Sequence, residues 1–227
     1  MSVPAHLGII PDGNRRWAKA QGLPTLEGHR RGLAVALDVA DAAFDQGVHY
    51  LTIWAFSAEN WLRPKAEVLY LMDLFYGFLT KELKRLEDKG VRLRFLGRRD
   101  NLSAKLVKVI DDSEARTADN SNGVVSLCLN YGGQAEIVDA VKAVIAAGTT
   151  PEEITPELLS SYMYAPDVPP LDLVIRTSGE QRTSGFMMWR AAYAEYSFSD
   201  KMWPEFSVDD LKQALDDFAR RARRYGK

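Results

Sequence analysis

Short runs of apolar, β-type residues alternate along the chain with stretches of helical periodicity, and this alternation points to a parallel sheet with crossover helices. Strands are predicted near residues 7–10, 50–56, 91–96, 124–130, 172–176 and 194–198. Helices are predicted near 14–21, 29–46, 65–89, 104–119, 134–147, 156–163 and 208–223. Several ends carry their own signals: Pro64 at a first helical position, Thr155 and Pro156 as N-cap and first residue, Ser207 followed by Asp209 and Asp210, and Gly47 and Gly90 just past helix ends. No internal repeat is present, and the most linker-like stretch, 148–157, is too short to divide domains. With 227 residues, 46% of them hydrophobic, the expectation is one α/β domain over 1–227: a six-stranded, mainly parallel sheet flanked by helices.

Bulk charge contributes little. Lys+Arg 29 against Asp+Glu 31 gives a net charge of -2, which offers nothing to nucleic acid, so anion chemistry must rest on local arginine clusters. The single cysteine, Cys128, lies in the apolar run VVSLCLN and reads as a buried thiol. That excludes a disulfide framework or thiolate metal site and fits a reducing cytosol. No signal peptide precedes the first strand, and no apolar run approaches the roughly 20 residues needed to span a bilayer. A cytoplasmic protein is expected, with a lipid substrate still open.

Three polar clusters each follow a predicted strand. HLGIIPDGNRRWA (6–18) runs into a turn with Asp12, Gly13, Asn14, Arg15 and Arg16, placing one carboxylate and two guanidiniums where a metal and a diphosphate would suit them. WAFSAENWLRP (54–64) supplies Ser57, Glu59, Asn60 and Arg63 interleaved with Phe56 and Trp61. DLVIRTSGEQRTSGFMMW (172–189) supplies Arg176, Ser178, Arg182 and Ser184 among glycines. Ligands of open α/β sheets gather outside the carboxyl ends of strands, so these loops are expected on one rim, with Asp12, Arg16, Arg63, Arg176 and Arg182 forming a two-anion site. From pattern alone Asp12 reads equally as a helix N-cap, Trp61 as a packed aromatic, and Arg30 with Arg31 as a solvated helix face.

The segments PDGNRRWA, EGHRRG, FSAENWLRP, LNYGG, DLVIRTSGEQR and WPEF, in this order, make the chain resemble the cis-prenyltransferase family, that is, undecaprenyl diphosphate synthase and related Z-isoprenyl diphosphate synthases. The resemblance implies Mg²⁺-dependent, head-to-tail condensation of isopentenyl diphosphate onto an allylic diphosphate, farnesyl or geranylgeranyl, each new double bond being cis. It also implies a homodimer with an apolar tunnel in each subunit. By the same matching, Asp12 is a metal ligand and, with Asn60, catalytic. Gly13, Asn14, Arg15, Arg16, Trp17 and His29 face the allylic diphosphate, and Thr25 stands where many members carry an arginine. Ser57, Ala58, Glu59, Trp61 and Arg63 orient isopentenyl diphosphate, which Arg176, Arg182, Thr183 and Ser184 hold. Glu195 matches a second metal-associated position, and Arg224 with Gly226 an ending that reaches the partner's site. Gln181 replaces a common histidine, Ser178 a common glycine and Gly185 a common asparagine. The last two changes are expected to alter loop freedom more than chemistry.

A carboxamide is a poor base, so Asn60 is read as orienting a diphosphate oxygen that takes the proton. Val68, Leu71, Met72, Phe75 and Leu79 on the helix 65–89 are expected to line the tunnel, Ala55 to leave its mouth open, and Leu33, Tyr76 and Phe78 to shorten it. The expectation is a medium or long product, with a short-chain or irregular product open. The apolar helix is also a candidate for peripheral membrane contact. A noncatalytic subunit of the same fold ranks low because Asp12 and Asn60 are both present.

Overall fold

The computed structural model describes residues 3–221. In chain order these form β1 (His6–Ile10), α1 (Asn14–Ala20), α2 (Thr25–Asp45), β2 (Tyr50–Ser57), α3 (Lys65–Asp88), β3 (Val91–Leu96), α4 (Ala104–Arg116), β4 (Gly123–Tyr131), α5 (Gly133–Ala146), α6 (Pro156–Ser161), β5 (Leu173–Arg176), β6 (Glu195–Phe198) and α7 (Val208–Arg220). The strands make one sheet in the order β3-β4-β2-β1-β5-β6, and every neighbouring pair is parallel. The sheet is therefore wholly rather than mainly parallel. Ile10 lies beside Arg176 at the ends of β1 and β5, so the first and third motifs leave the sheet side by side.

Helix ends follow local chemistry. Ser207 accepts a hydrogen bond from the Asp210 amide, and the Asp210 carboxylate accepts one in return from the Ser207 amide. Thr155 caps α6 with Pro156 behind it, and Gly47 and Gly90 follow α2 and α3 with φ of 92° and 65°. Pro64, expected at a first helical position, is instead the N-cap of α3. Helix α2 starts at Thr25, earlier than predicted: Gly28 and Gly32, which weaken a helix intrinsically, are kept here for packing. A Cβ on Gly28 would collide with the Asn14 carbonyl, and one on Gly32 with the Asn14 side chain, so only glycine lets α1 lie this close. The predicted continuations of α4 to residue 119 and α6 to 163 stop at Arg116 and Ser161. The last residues of the predicted 208–223 helix lie outside the described residues.

Both faces of the sheet are covered, as parallel strands require, and all nine residues of β4 are buried. One face packs Leu7, Ile9, Ile53 and Leu127 against Val35 and Val39 of α2, Leu71 and Leu79 of α3, and Leu211 of α7. The other gathers Ile10, Cys128, Tyr131, Phe186 and Met187, so the lone cysteine is a buried core thiol. No helix among the described residues is long and apolar enough to cross a membrane.

His6, fully buried in β1, shapes the pH response of this fold. Its Nδ1 lies 2.8 Å from the Pro169 carbonyl, which can only accept, so Nδ1 carries the proton and Nε2 accepts from the Thr52 hydroxyl. Burial, the largest effect, lowers the His6 pKa to about 4 from 6.5. The unfolded chain thus takes up a proton between pH 6.5 and 4 that the folded chain refuses. This contribution to stability is intact above pH 6.5 and falls by about 3 kcal/mol as the pH drops to 4. Urea unfolding across this range should show that slope, and His6→Gln should flatten it.

Candidate active site

Asp12 joins the first and third motifs. Its backbone N–H donates to Thr177 Oγ1 (2.9 Å), the Thr177 hydroxyl donates back to the Asp12 carbonyl, and Trp203 N–H donates to the same oxygen. The carboxylate accepts from Arg176 Nη2 at 2.8 Å on one oxygen and from Arg16 Nη2 at 3.2 Å on the other. Burial pushes the Asp12 pKa up, but the hydrogen bond and charge of Arg176, joined by Arg16, outweigh it and hold the carboxyl below its usual value. Gly13 takes the N-cap of α1 with φ of 106°, and no side chain caps it. The capping alternative for Asp12 is therefore not what the structure shows.

The third motif closes around Arg176. This buried guanidinium donates from Nη1 to the Arg182 carbonyl (2.6 Å) and the Ser184 hydroxyl (2.9 Å), while its Nε is buried without a partner among the described residues. Arg182 itself is exposed and pairs with Glu180, which also receives Arg16 at 3.1 Å. Thr183 opens the turn whose carbonyl accepts from the Phe186 N–H. Ser178 and Gly185 both have positive φ, 77° and 88°. The two departures are thus a matter of backbone freedom, as expected, but Ser178 also gains chemistry: its hydroxyl accepts from Arg16 at 2.6 Å.

A second polar knot centres on a residue that sequence reasoning missed. Glu67, in the first turn of α3 and only 7% exposed, accepts from Arg63 Nη1 (3.2 Å), lies 3.2 Å from His29 Nε2 and 3.7 Å from Arg15 Nε. Arg63 lies in extended backbone just before the Pro64 cap and reaches back over the first turn of α3 to Glu67, a contact set by the cap geometry and not by helical spacing. Burial lowers the His29 pKa, opposed by its bond to Glu67, and burial likewise lowers that of Arg63. Arg30 pairs with Glu27 at the surface, as a solvated face should.

Between β2 and α3, residues Ala58–Leu62 form a 3-10 turn. Asn60 Oδ1 accepts from the Ser57 N–H at 3.2 Å, so the carboxamide holds its own turn. Trp61 packs edge-on to Phe56 and donates from its indole to Asn130 Oδ1 at 2.7 Å, the packed aromatic that the pattern favoured. Asn130, inside the LNYGG motif, was likewise not singled out.

These groups surround an open cleft of about 830 Å³ whose walls include Asp12, Gly13, Asn14, Arg15, Arg16, Thr25, His29, Asn60 and Arg63. Trp17, Ser57, Ala58, Glu59, Trp61, Arg176, Arg182, Thr183 and Ser184 do not line it; Arg176 joins its wall through Asp12, and Arg182 and Ser184 are bonded to Arg176. Beneath it, between α2, α3 and the sheet, runs an apolar cavity of about 120 Å³. The two share Pro11, Asn14, His29, Ala55 and Leu71 as a common wall. Leu71 and Phe75 line the cavity as expected, and Leu33 and Phe78, two of the residues expected to shorten it, also face it, whereas Val68, Met72 and Leu79 pack into the core and the Tyr76 ring lies under the Lys105 ammonium at 3.8 Å. The helix turns those residues away from the space that Leu71, Phe75 and Phe78 face.

Glu195 is not brought to this group within the chain. It opens β6 beside Leu173, at the amino end of the sheet, and its carboxylate accepts from Arg221 at 2.9 Å. Matching to the family places Glu195 with the metal, but within this chain it begins its strand and so lies at the end of the sheet opposite the three loops. Gln181 is exposed in the third loop, and Arg224 and Gly226 lie outside the described residues.

Cationic loops at the carboxyl rim of a parallel sheet, opening onto an apolar cavity, suit a diphosphate attached to a hydrocarbon. The family model described as "Putative undecaprenyl diphosphate synthase" matches residues 10–226, and the chain belongs to that family of prenyl transferases. Isoprenyl transferase 2 of Corynebacterium efficiens is 44% identical over 99% of this chain and 94% of its own length. A trans,polycis-polyprenyl diphosphate synthase of Thermobifida fusca is 43% identical over 99% of this chain and 81% of its own. The crystal structure of lavandulyl diphosphate synthase from Lavandula x intermedia in complex with dimethylallyl diphosphate superposes with a TM-score of 0.94 at 32% identity, covering 99% of both chains.

Proposed function

We propose that this protein condenses isopentenyl diphosphate head-to-tail onto an allylic diphosphate such as farnesyl diphosphate, giving a Z-polyprenyl diphosphate. The observation that carries this reading is the shared wall between the cationic cleft and the apolar cavity, which lets one substrate keep its diphosphate in the first and its tail in the second. Arg15 and Arg16 on α1 grip the allylic diphosphate, with His29 and Thr25 of α2 beside them. Arg176, with its unpaired Nε, and Arg182 and Ser184 hold isopentenyl diphosphate on the other side of Asp12. Arg63 and Asn60, on the wall of the same cleft, orient the second diphosphate over the allylic carbon. Attack forms the new carbon–carbon bond as the allylic carbon–oxygen bond breaks, and a diphosphate oxygen takes the proton lost from isopentenyl diphosphate.

Mg²⁺ fits Asp12, an oxygen-only site with one half-buried carboxylate at the cleft, because this ion binds through one or two carboxylates plus substrate phosphates. Among the described residues no three acidic, His or Cys side chains cluster to hold a metal by themselves, so substrate phosphates complete the set. When bound, the ion neutralises charge on the departing diphosphate. Glu195 is left out of this set. Gln181→His, adding an imidazole to the third loop, should steepen Mg²⁺ dependence if that loop faces the metal; an unchanged titration removes the position from the ligand set.

The cavity extends down α2 from His29, which supports a product of several condensations. A homodimer is supported by the edge strand β6 and the exposed Phe198 and Tyr193 near it. Cytoplasmic residence with peripheral membrane contact, made as the polyprenyl tail leaves water, completes the reading. Purified protein given farnesyl diphosphate, labelled isopentenyl diphosphate and Mg²⁺ should yield a ladder of extended products. Failure to extend any allylic primer overturns the reading.

A further inference from the structure

The inner end of the apolar cavity is closed by charges. From His29 the cavity follows α2 to Asp41, twelve residues on and therefore about 18 Å away along the helix axis. There the Asp41 carboxylate is held by Arg85 of α3 and by Lys89, which follows α3, at 2.5 Å to Lys89 Nζ, and Arg85 Nη1 also donates to Glu82 at 3.3 Å. Asp41, Glu82, Arg85 and Lys89 all line the cavity, which is otherwise walled by side chains such as Ala36, Ala40 and Phe44.

We infer that the Asp41–Arg85–Lys89 ion network is the stop that ends chain growth in this enzyme, a specificity role resting on the proposed condensation. The hydrocarbon stems of Arg85 and Lys89 offer the last apolar surface, and their charged heads reach toward water at the amino edge of the sheet. An isoprene unit pushed beyond Ala40 and Phe44 must displace these heads and leave Asp41 desolvated without its partners, whereas each earlier unit meets only apolar walls. The same pairs are about one-third exposed and so contribute little to folding, which makes them removable.

The experiment compares product ladders of full-length wild type, Asp41→Ala and Arg85→Met, the last keeping an apolar stem while losing the charge. Both variants should shift the main product upward by at least one isoprene unit, and Ala40→Phe, which narrows the space above the network, should shift it downward. An unchanged ladder in folded Asp41→Ala and Arg85→Met overturns the inference while leaving the condensation intact. A wild-type lane with no extension overturns both.

Discussion

Asp12→Ala is expected to lower kcat/KM about a thousandfold, equivalent to about 4 kcal/mol of lost transition-state stabilisation. Two losses combine. The variant removes the carboxylate that joins Arg16 to Arg176, and so releases both from their common anchor. The fold should survive, because Arg176 keeps the Arg182 carbonyl and Ser184 hydroxyl, and Thr177 still meets the backbone of residue 12. Steady-state kinetics with circular dichroism as the folding control tests this. Full turnover in Asp12→Ala would refute its role. Asp12→Asn should fall nearly as far, since it preserves shape but not charge.

Glu67→Ala is the second large effect. One buried carboxylate collects Arg63, His29 and Arg15, and removing it leaves a half-buried guanidinium without its counter-charge, a change that costs about 3 kcal/mol in comparable buried pairs. Because Arg63, Arg15 and His29 line the cleft, the loss should appear chiefly as a raised KM for the allylic diphosphate, alongside a lower denaturation midpoint. Glu67→Gln, which keeps an acceptor but not the charge, should recover part of the stability. Unchanged KM in both variants would show that Glu67 is only a packing residue.

Much of this was legible in the sequence, for reasons that particular residues make plain. The sheet could be read because parallel strands are apolar on both faces, as VVSLCLN around Cys128 is, and because Ser207, Thr155, Gly47 and Gly90 punctuate the helices by local chemistry. The rim followed from strand direction alone, and Asp12, Arg16, Arg63 and Arg176 are where that direction puts them. What escaped depends on tertiary contacts that no local pattern encodes. Glu67 looked like an ordinary first-turn acid until α2 and α1 brought His29 and Arg15 to it. Gly28 and Gly32 obscured the start of α2 because their value lies in the neighbouring Asn14. Val68, Met72 and Leu79 share an apolar stripe with Leu71 and Phe75, and only the placement of the sheet separates core from cavity.

The central claim is spatial: diphosphate at the rim, growing tail between α2 and α3. Photo-crosslinking with an allylic diphosphate whose tail ends in a diazirine tests it most directly. Labelled peptides should fall within 25–45 and 65–88, at cavity residues such as Leu33 and Phe78, and excess farnesyl diphosphate should suppress the labelling. Labelling confined to α5 or the 163–191 segment on the opposite face of the sheet would contradict the account.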